Sequence, residues 1–404
     1  MYLDSLLRNL SLLARSMQSS RKGKRRLRTF HEWKAELLEL IPKSDAVPKQ
    51  KKLLIIRLDD IGDYLLFRNS LEHYRKSSRF REYHITLLGN VVWKGFFEIF
   101  DSSSVDEVIW INKKQYRGES EYRKTVLQQL WNKSFEVVIC PSRTRPMLLD
   151  DLCTIASCAK TTIAASNTLD SIEHERISDA GYTALFPRND LIHEFEYNQL
   201  FAKWCCDSCL PISTRPVIVP DKMNSSSDKP YLLFCLGSSV KSRRWPVDKW
   251  ISLMKKYREK CSLPLVLETG SIDSELASYI QNRIKLDMVT GKTTLPEVAS
   301  WISSAAVVFA QDSMAAHLSV SCGTPTLIIA NGMHYHRFSS YADAGIANVK
   351  TVVPTAFIEW RKKNPNISIL KYTAVSGDIA TISVDAVFEC AEELTHKDYC
   401  KHQK

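Results

Sequence analysis

LLIIRLDDIGDYLL, residues 53–66, sets the reading of this chain. Leu53 to Leu58 are apolar except for one arginine, as expected of a strand buried on both faces of a sheet. Asp59, Asp60, Gly62 and Asp63 follow at the carboxyl end of that strand, where Gly62 permits a tight turn and Asp63 opens a helix. In open parallel sheets this is the end at which ligands bind. A carboxylate there can serve as a general base toward a hydroxyl. The same four residues also suit helix capping and turn formation, with Asp63 as cap and Asp60 in the turn.

Outward from this stretch the pattern repeats. HITLLG (84–89), VDEVIW (105–110), EVVIC (136–140) and TTIAA (161–165) are further short strand-like runs, most of them separated by segments of helical length. Alternation of this kind predicts a parallel sheet flanked by helices. A helical stretch near 191–208 leads into PISTRPVIVPDKMNSSSDKP (211–230), whose four prolines and serine cluster read as an interdomain linker. A second series then begins with YLLFCL (231–236), PLVLE (264–268), AVVFAQ (306–311) and PTLIIA (325–330). Helices are expected at 246–260, 273–284, 294–304 and 313–322, and Thr294 with Glu297 has capping-box spacing. A final helix over 384–395 is expected to pack back across the first domain. The predicted fold is α/β: two Rossmann-like, doubly wound domains facing a cleft, at 51–210 and 231–404.

Composition narrows the class. The chain has 404 residues and a formal net charge of +10, but residues 1–52 hold 13 basic and 5 acidic side chains. The remainder is nearly balanced, which argues against a nucleic-acid partner. The first 50 residues read as a basic amphipathic extension. Leu3, Leu6, Leu7, Leu10, Leu13, Ala14 and Met17 share a helical face, and RKGKRRLR (21–28) follows. An apolar face plus a polybasic run over 1–28 is a two-part attachment to an anionic membrane surface; a packing helix with a solvated linker is the competing reading. Asp4, Arg8 and Arg15 interrupt any signal-peptide core, and no run is long and apolar enough for a spanning helix. Eleven cysteines, several in strand-like runs, read as free thiols of a reducing compartment, so a cytoplasmic protein is expected, peripheral on the inner membrane face. Cys206 and Cys209 make a lone CxxC without a second pair at zinc spacing.

Two further turns carry chemistry. CLGSSVKSRRWP (235–246) gives a donor-rich turn at Gly237, Ser238 and Ser239, followed by Lys241, Arg243 and Arg244 just before a helix start. Cations at a helix N-terminus suit a diphosphate. In AVVFAQDSMAAHLSVSCGTPTLII (306–329), Asp312 and Ser313 form the turn, and His317 lies one helical turn beyond Ser313. Asp312 suits sugar hydroxyls, and Ser313 with the first helical N–H groups suits phosphate; His317 reaches the same ligand or packs. The absence of any Asp-x-Asp argues against a metal-dependent carboxylate-pair transferase, and the absence of G-x-G-x-x-G against a nicotinamide enzyme.

These motifs, in this order, resemble glycosyltransferase family 9, the lipopolysaccharide heptosyltransferases. Ile56-Arg57-Leu58 and Gly62-Asp63 match its opening strand and turn, and Arg243-Arg244-Trp245-Pro246 its K-R-W-P-like segment. Gly291 through Glu297 matches G-x-x-x-L-x-E. Asp312-Ser313, His317-Leu318 and Gly323-Thr324-Pro325 match D-S-G-x-x-H-L-A-x-x-x-G-T-P. The resemblance implies a GT-B-type fold and a metal-independent, inverting transfer without cofactor, from ADP-heptose to a lipopolysaccharide-type acceptor. It implies Asp63 as catalytic base, Arg243 on the donor phosphates, Asp312 on the donor sugar and Glu275 on the ribose. Arg143 and Arg145, in PSRTRP, fall on the acceptor side. Met314 stands where the family has glycine and Arg243 where it has lysine. Met314 motivates one alternative, an inactive sugar-nucleotide-binding protein of the same fold.

Overall fold

The computed structural model describes residues 21, 23–41, 51–167, 172–187, 192–206, 230–270, 274–365 and 377–394. The expected apolar face at 1–17, nearly all of the linker 211–230, and Cys209 lie outside the described residues.

Helix α1 (23–40) precedes the first sheet. Then come β1 (Lys52–Arg57), α2 (Ile61–Phe67), α3 (Leu71–Lys76), β2 (His84–Asn90), α4 (Lys94–Phe100), β3 (Glu107–Ile111), α5 (Lys113–Gly118) and α6 (Ser120–Lys133). The domain closes with β4 (Val137–Cys140), α7 (Leu152–Ala156), β5 (Thr161–Ala165), α8 (Ile172–Asp179), β6 (Ala184–Phe186) and α9 (Glu194–Cys206). Its sheet order is β3-β2-β1-β4-β5-β6, every pair parallel, with β1 central: Leu54 lies opposite Thr86 on one side and Val138 on the other. Alternation along β1 sends Leu53 and Ile55 to one apolar layer and Leu54, Ile56 and Leu58 to the other. The buried Arg57 side chain lies over the Phe67 ring of α2, 4.9 Å from its centroid.

The second domain runs β7 (Leu232–Cys235), α10 (Val247–Lys260), β8 (Leu265–Glu268), α11 (Ser274–Gln281), β9 (Met288–Val289), α12 (Leu295–Ser303), β10 (Val307–Gln311) and α13 (Met314–Cys322). It ends with β11 (Thr326–Ile329), β12 (Val349–Val352), α14 (Thr355–Lys363) and α15 (Val384–Glu392). Its order, β12-β11-β10-β7-β8-β9, repeats the arrangement of the first sheet. The Thr294–Glu297 capping box forms as expected, with Thr294 N donating to Glu297 Oε2 at 2.6 Å. The three strands that the sequence pattern did not signal, β6, β9 and β12, are all edge strands of two to four residues, mostly half-buried. So short a stretch carries too little apolar periodicity to stand out.

Two expectations are corrected. Helix α15 does not cross to the first domain: Val387, Phe388 and Ala391 are buried with Trp250, Leu253 and Tyr257 of α10. Nor is 1–50 a uniform extension. Phe30 and Leu37 of α1 are buried in the outer layer of the first domain, with Leu27, Trp33 and Ile41 packed beside them. Arg123 of α6 sits over the Trp33 ring at 3.6 Å and pairs with Glu36 at 3.8 Å. Burial of side chains like Phe30 contributes about 1.5–3 kcal/mol each, so this helix belongs to the domain. Arg21, Lys24, Arg25, Arg26 and Arg28 stay exposed. No described helix is long and apolar enough to cross a membrane. Cys205 and Cys206 are buried free thiols that pack in the core.

The domains touch through their helices. Helix α13 packs on α2 and α12 on α4, and a single buried apolar cluster contains Tyr64, Leu65 and Phe97 together with Ile302, Ala315 and Ala316.

Candidate active site

At the end of β1, Arg57 is buried and its charge needs partners. Its Nε lies 3.1 Å from Asp59 Oδ2 and its Nη2 3.9 Å from Glu194 Oε1, while Nη2 donates to the Asp63 carbonyl at 3.2 Å and Nη1 to Asn198 Oδ1 at 3.4 Å. Ser142, just past β4, donates to Asp59 Oδ2 at 2.9 Å. The pairing of β1 with β4 therefore places these groups at the switch point of the sheet. Asp60 is exposed and meets Lys113 Nζ at 2.5 Å; it stands at the N-cap of α2 without a capping hydrogen bond from its side chain.

Asp63 occupies the first turn of α2 and keeps 27% of its side chain exposed. Burial of its surroundings, then the neighbouring Asp59 charge, push its carboxyl up to about 7, against the opposing pull of Arg337 and Arg57. A carboxyl group poised near neutrality exchanges a proton readily at that pH, as a general base must. Across from it, Arg337 Nη2 of the second domain lies 4.0 Å from Asp63 Oδ1. Arg337 Nε also meets Glu194 Oε2 at 2.7 Å, and Arg143 Nη1 meets the same oxygen at 3.3 Å. Burial works against the Glu194 charge, but Arg337 and Arg143 outweigh it and bring this carboxyl down to about 2.

Helix α13 brings His317 against Gly62, where a Cβ would stand 2.8 Å from the ring. Glycine at 62 is thus what lets the two domains approach here. His317 Nδ1 bonds Tyr341 Oη at 2.6 Å, and burial, then Arg243, hold this imidazole neutral with a pKa lowered to about 3.

On the second domain, Arg243 Nη1 lies 3.4 Å from both Asp312 Oδ2 and the Asp312 carbonyl. Burial raises the Asp312 carboxyl above its usual range while Arg243 opposes the rise. Ser313 is the N-cap of α13 in extended conformation, and its side chain makes no cap hydrogen bond. His334, left-handed at φ +56°, lies close enough to Arg337, Arg243 and Asp312 to feel their charges, and its pKa is lowered to about 4, first by burial. Ser313 Oγ and His334 Nδ1 are buried without a hydrogen-bond partner among the described residues, beside the ion-paired Asp312. Buried polar atoms are normally satisfied, so two such atoms beside an arginine and a helix N-terminus describe a site shaped for a polar, anionic ligand.

Residues 212–346 match the family model described as Glycosyltransferase family 9 (heptosyltransferase). The match covers about a third of the chain, nearly all of it in the second domain, and there the sequence is similar to that family. Among solved structures, a family 9 glycosyl transferase from Veillonella parvula is 18% identical, with a TM-score of 0.65 over 86% of this chain and 97% of that one. The E. coli heptosyltransferase WaaC with ADP is 14% identical, with a TM-score of 0.65 over 85% of this chain and 99% of that one. E. coli ADP-heptose lps heptosyltransferase II gives 14% and 0.60 over 85% and 98%. At these identities the likeness is one of fold, a two-domain GT-B type. No curated protein matches the sequence.

Of the family 9 residues expected from sequence, Asp63 lies in the interdomain cluster, and Arg243, Asp312 and Ser313 lie together. Ser238 is held by its own turn, Ser239 and Lys241 are exposed beside it, and exposed Arg244 donates from Nε to the Ser238 carbonyl at 2.9 Å. Glu275 is exposed in the first turn of α11 and makes no hydrogen bond or ion pair with the Arg243 group. Arg143 and Arg145, expected on the acceptor side, are both buried and ion-paired within the first domain. Arg143 is buried on Glu194 and over the Tyr197 ring at 4.2 Å. Buried Arg145 pairs with Asp151 and Asp179 and donates to the Ala165 carbonyl. Sequence reading missed Glu194, His334 and Arg337. A glutamate inside the 191–208 helix, and two histidines and an arginine (His334, His336 and Arg337) soon after the last clear strand, were the available signals.

Proposed function

We propose that the protein is a metal-independent, inverting glycosyltransferase that moves a sugar, heptose from ADP-heptose, onto a lipopolysaccharide core or a related membrane-linked glycan. The observation that carries the reading is Asp63, a carboxyl group tuned to about 7 where the two domains meet. In this mechanism Asp63 takes the proton from the acceptor hydroxyl as its oxygen attacks the anomeric carbon from the face opposite the leaving group. The bond from that carbon to the diphosphate oxygen breaks, inverting the centre. Negative charge then grows on the nucleoside diphosphate, which Arg243, Arg244 and the N-terminus of α13 are positioned to stabilise. Asp312 orients the sugar through its hydroxyls.

Two solved structures of similar fold support the donor class: E. coli WaaC was solved with ADP and also with ADP-2-deoxy-2-fluoro heptose. Met314, in place of the family's glycine, has a partly buried side chain packed against the apolar core, which weighs against the inactive-protein reading. The cytoplasmic, peripheral-membrane placement rests on the exposed cations of α1 together with the spacing of apolar residues in the sequence 1–17. The test is ADP release from ADP-heptose with and without a lipid-linked core acceptor. Release that depends on acceptor supports the reading. Binding of ADP-heptose without release under any acceptor would favour the inactive alternative.

A further inference from the structure

The cluster at the domain boundary contains three guanidinium groups and three carboxylates. Arg57, Asp59 and Asp63 come from β1 and the turn into α2, Arg143 from beyond β4, and Glu194 from α9; Arg337 alone comes from the second domain. It is carried on a wide helical turn, Tyr335–Ser339, and is buried once it reaches the first domain. Its guanidinium spans two acids, Glu194 at 2.7 Å and Asp63 at 4.0 Å. Among the described residues no other ion pair of Asp63 crosses the boundary, and His317, which packs against Gly62 from the second domain, is neutral.

We infer that Arg337 is a positioning residue which reaches across the boundary to Glu194 and Asp63, so that docking of the two domains makes the base ready. The inference rests on the reading of Asp63 as the base and adds how that base is controlled. Glu194 acts as the anchor. It is fully buried, held by Arg143 and Arg57 of its own domain, and presents Oε2 to Arg337. Docking covers the Asp63 turn with second-domain groups, and that burial beside Asp59 favours the protonated carboxyl; the Arg337 charge arrives with the same contact and opposes it. Without Arg337 the docked carboxyl would hold its proton more tightly and act less readily on a hydroxyl. Docked, Arg337 favours the carboxylate. The groups facing Asp63 are Asp59 and Glu194, which favour its protonated form, and Arg57 and Arg337, which favour its charged form. The device ties deprotonation of the acceptor to a closed site, where a leaving diphosphate is also met by Arg243.

The test is a titration of full-length protein labelled with 13C at the aspartate carboxyl carbon. The Asp63 resonance is identified by its loss in Asp63→Asn. In Arg337→Gln the midpoint should rise by about one pH unit, since an opposite charge near 4 Å has been removed. In Glu194→Gln it should fall, because one negative neighbour is lost while the amide oxygen can still accept from Arg337. General loosening of the interface would not move the midpoint in opposite directions. Arg337→Lys keeps the charge on a different reach and should give a smaller rise, which serves if the other variants do not fold. An unchanged midpoint in Arg337→Gln, the same direction in both neutral variants, or no shift in Arg337→Lys as the sole folded variant overturns the proposal. The titration uses neither donor nor acceptor, so its outcome stands apart from whether sugar transfer is found.

Discussion

The two sheets share one strand order and differ in the turn that follows their first strand. After β1 the chain runs Asp59, Asp60, Gly62, Asp63; after β7 it runs Gly237, Ser238, Ser239, Lys241, Arg243, Arg244. One topology thus carries an acidic turn on one side of the boundary and a basic turn on the other. The first has a carboxyl raised toward neutrality by burial and a like charge, suited to taking a proton. The second has cations and a helix N-terminus, suited to holding a diphosphate. The lesson is a division of labour: the fold repeats, and the turns at its strand ends carry acidic chemistry in one domain and basic chemistry in the other.

Asp63→Ala offers the sharpest way to break this division. The rate of transfer should fall by about 10²–10⁴, the usual worth of a general base, while donor affinity stays within about twofold. Turnover measured against pH should rise through about 7 in the wild type, because the raised carboxyl acts only once it has lost its proton. A variant with near-normal turnover would remove the base from the acidic turn. A large loss of donor affinity would show instead that the two turns share one task.

Glu194 joins the domains, and its prediction concerns stability. Replacing it by Gln leaves Arg57, Arg143 and Arg337 around a neutral group, and breaking such a buried pair costs about 3–5 kcal/mol. The sign of its pH dependence follows from the lowered pKa. Its stabilising contribution is complete above the unfolded carboxyl value and is lost as pH falls toward about 2. Chemical denaturation at neutral and acid pH is the measurement. The gap between wild type and Glu194→Gln should be wide at neutral pH and narrow in acid; a constant gap would mean that the charge is not what joins the domains.

Arg243→Ala tests the basic turn. Loss of a charge-assisted contact to phosphate should weaken donor binding by about 1.5–3 kcal/mol, read by isothermal titration with ADP-heptose. Asp312→Ala should weaken it too, since Asp312 pairs with Arg243 and, in the proposed mechanism, orients the sugar. Unchanged affinity in both variants would empty the basic turn of its assigned role.

Most of this frame was legible in the sequence because it is written locally. Nine strands, all but β3 interior to their sheets, are runs rich in apolar residues, and the residues at their carboxyl ends occupy fixed places in an open parallel sheet. Asp63, Arg243, Asp312 and Ser313 were singled out in that way. What escaped depends on long-range burial. PSRTRP advertises two free arginines, and nothing local shows that Arg143 will lie on Glu194 or Arg145 among Asp151 and Asp179. Glu194 sits in an ordinary helix and Arg337 in an irregular turn, and they meet across 143 residues of chain. The basic run 21–28 was read as charge, but the apolar spacing of Leu27, Phe30, Leu37 and Ile41 fixes the helix that carries it to the domain.

The smallest expected effect belongs to that helix. Its inner face packs on the first domain, while Arg21, Lys24, Arg25, Arg26 and Arg28 remain exposed. If they steer the acidic turn toward a lipid-linked acceptor, neutralising Arg25 and Arg26 together should weaken binding to anionic vesicles by about 1 kcal/mol per charge. Binding to vesicles of neutral lipid should not change, since no apolar contact has been removed. Salt should erase the difference between variant and wild type, because the attraction fades beyond about 8 Å at physiological ionic strength. Folding stability and transfer to a delipidated acceptor should change little, as both side chains are exposed and neither is among the proposed site residues. Phe30→Ala is the contrasting change: it should lower stability by about 3–5 kcal/mol and leave the charge-dependent part of vesicle binding intact in the folded fraction. Equal co-sedimentation of wild type and the doubly neutralised variant on anionic vesicles at low salt would show that α1 serves packing alone.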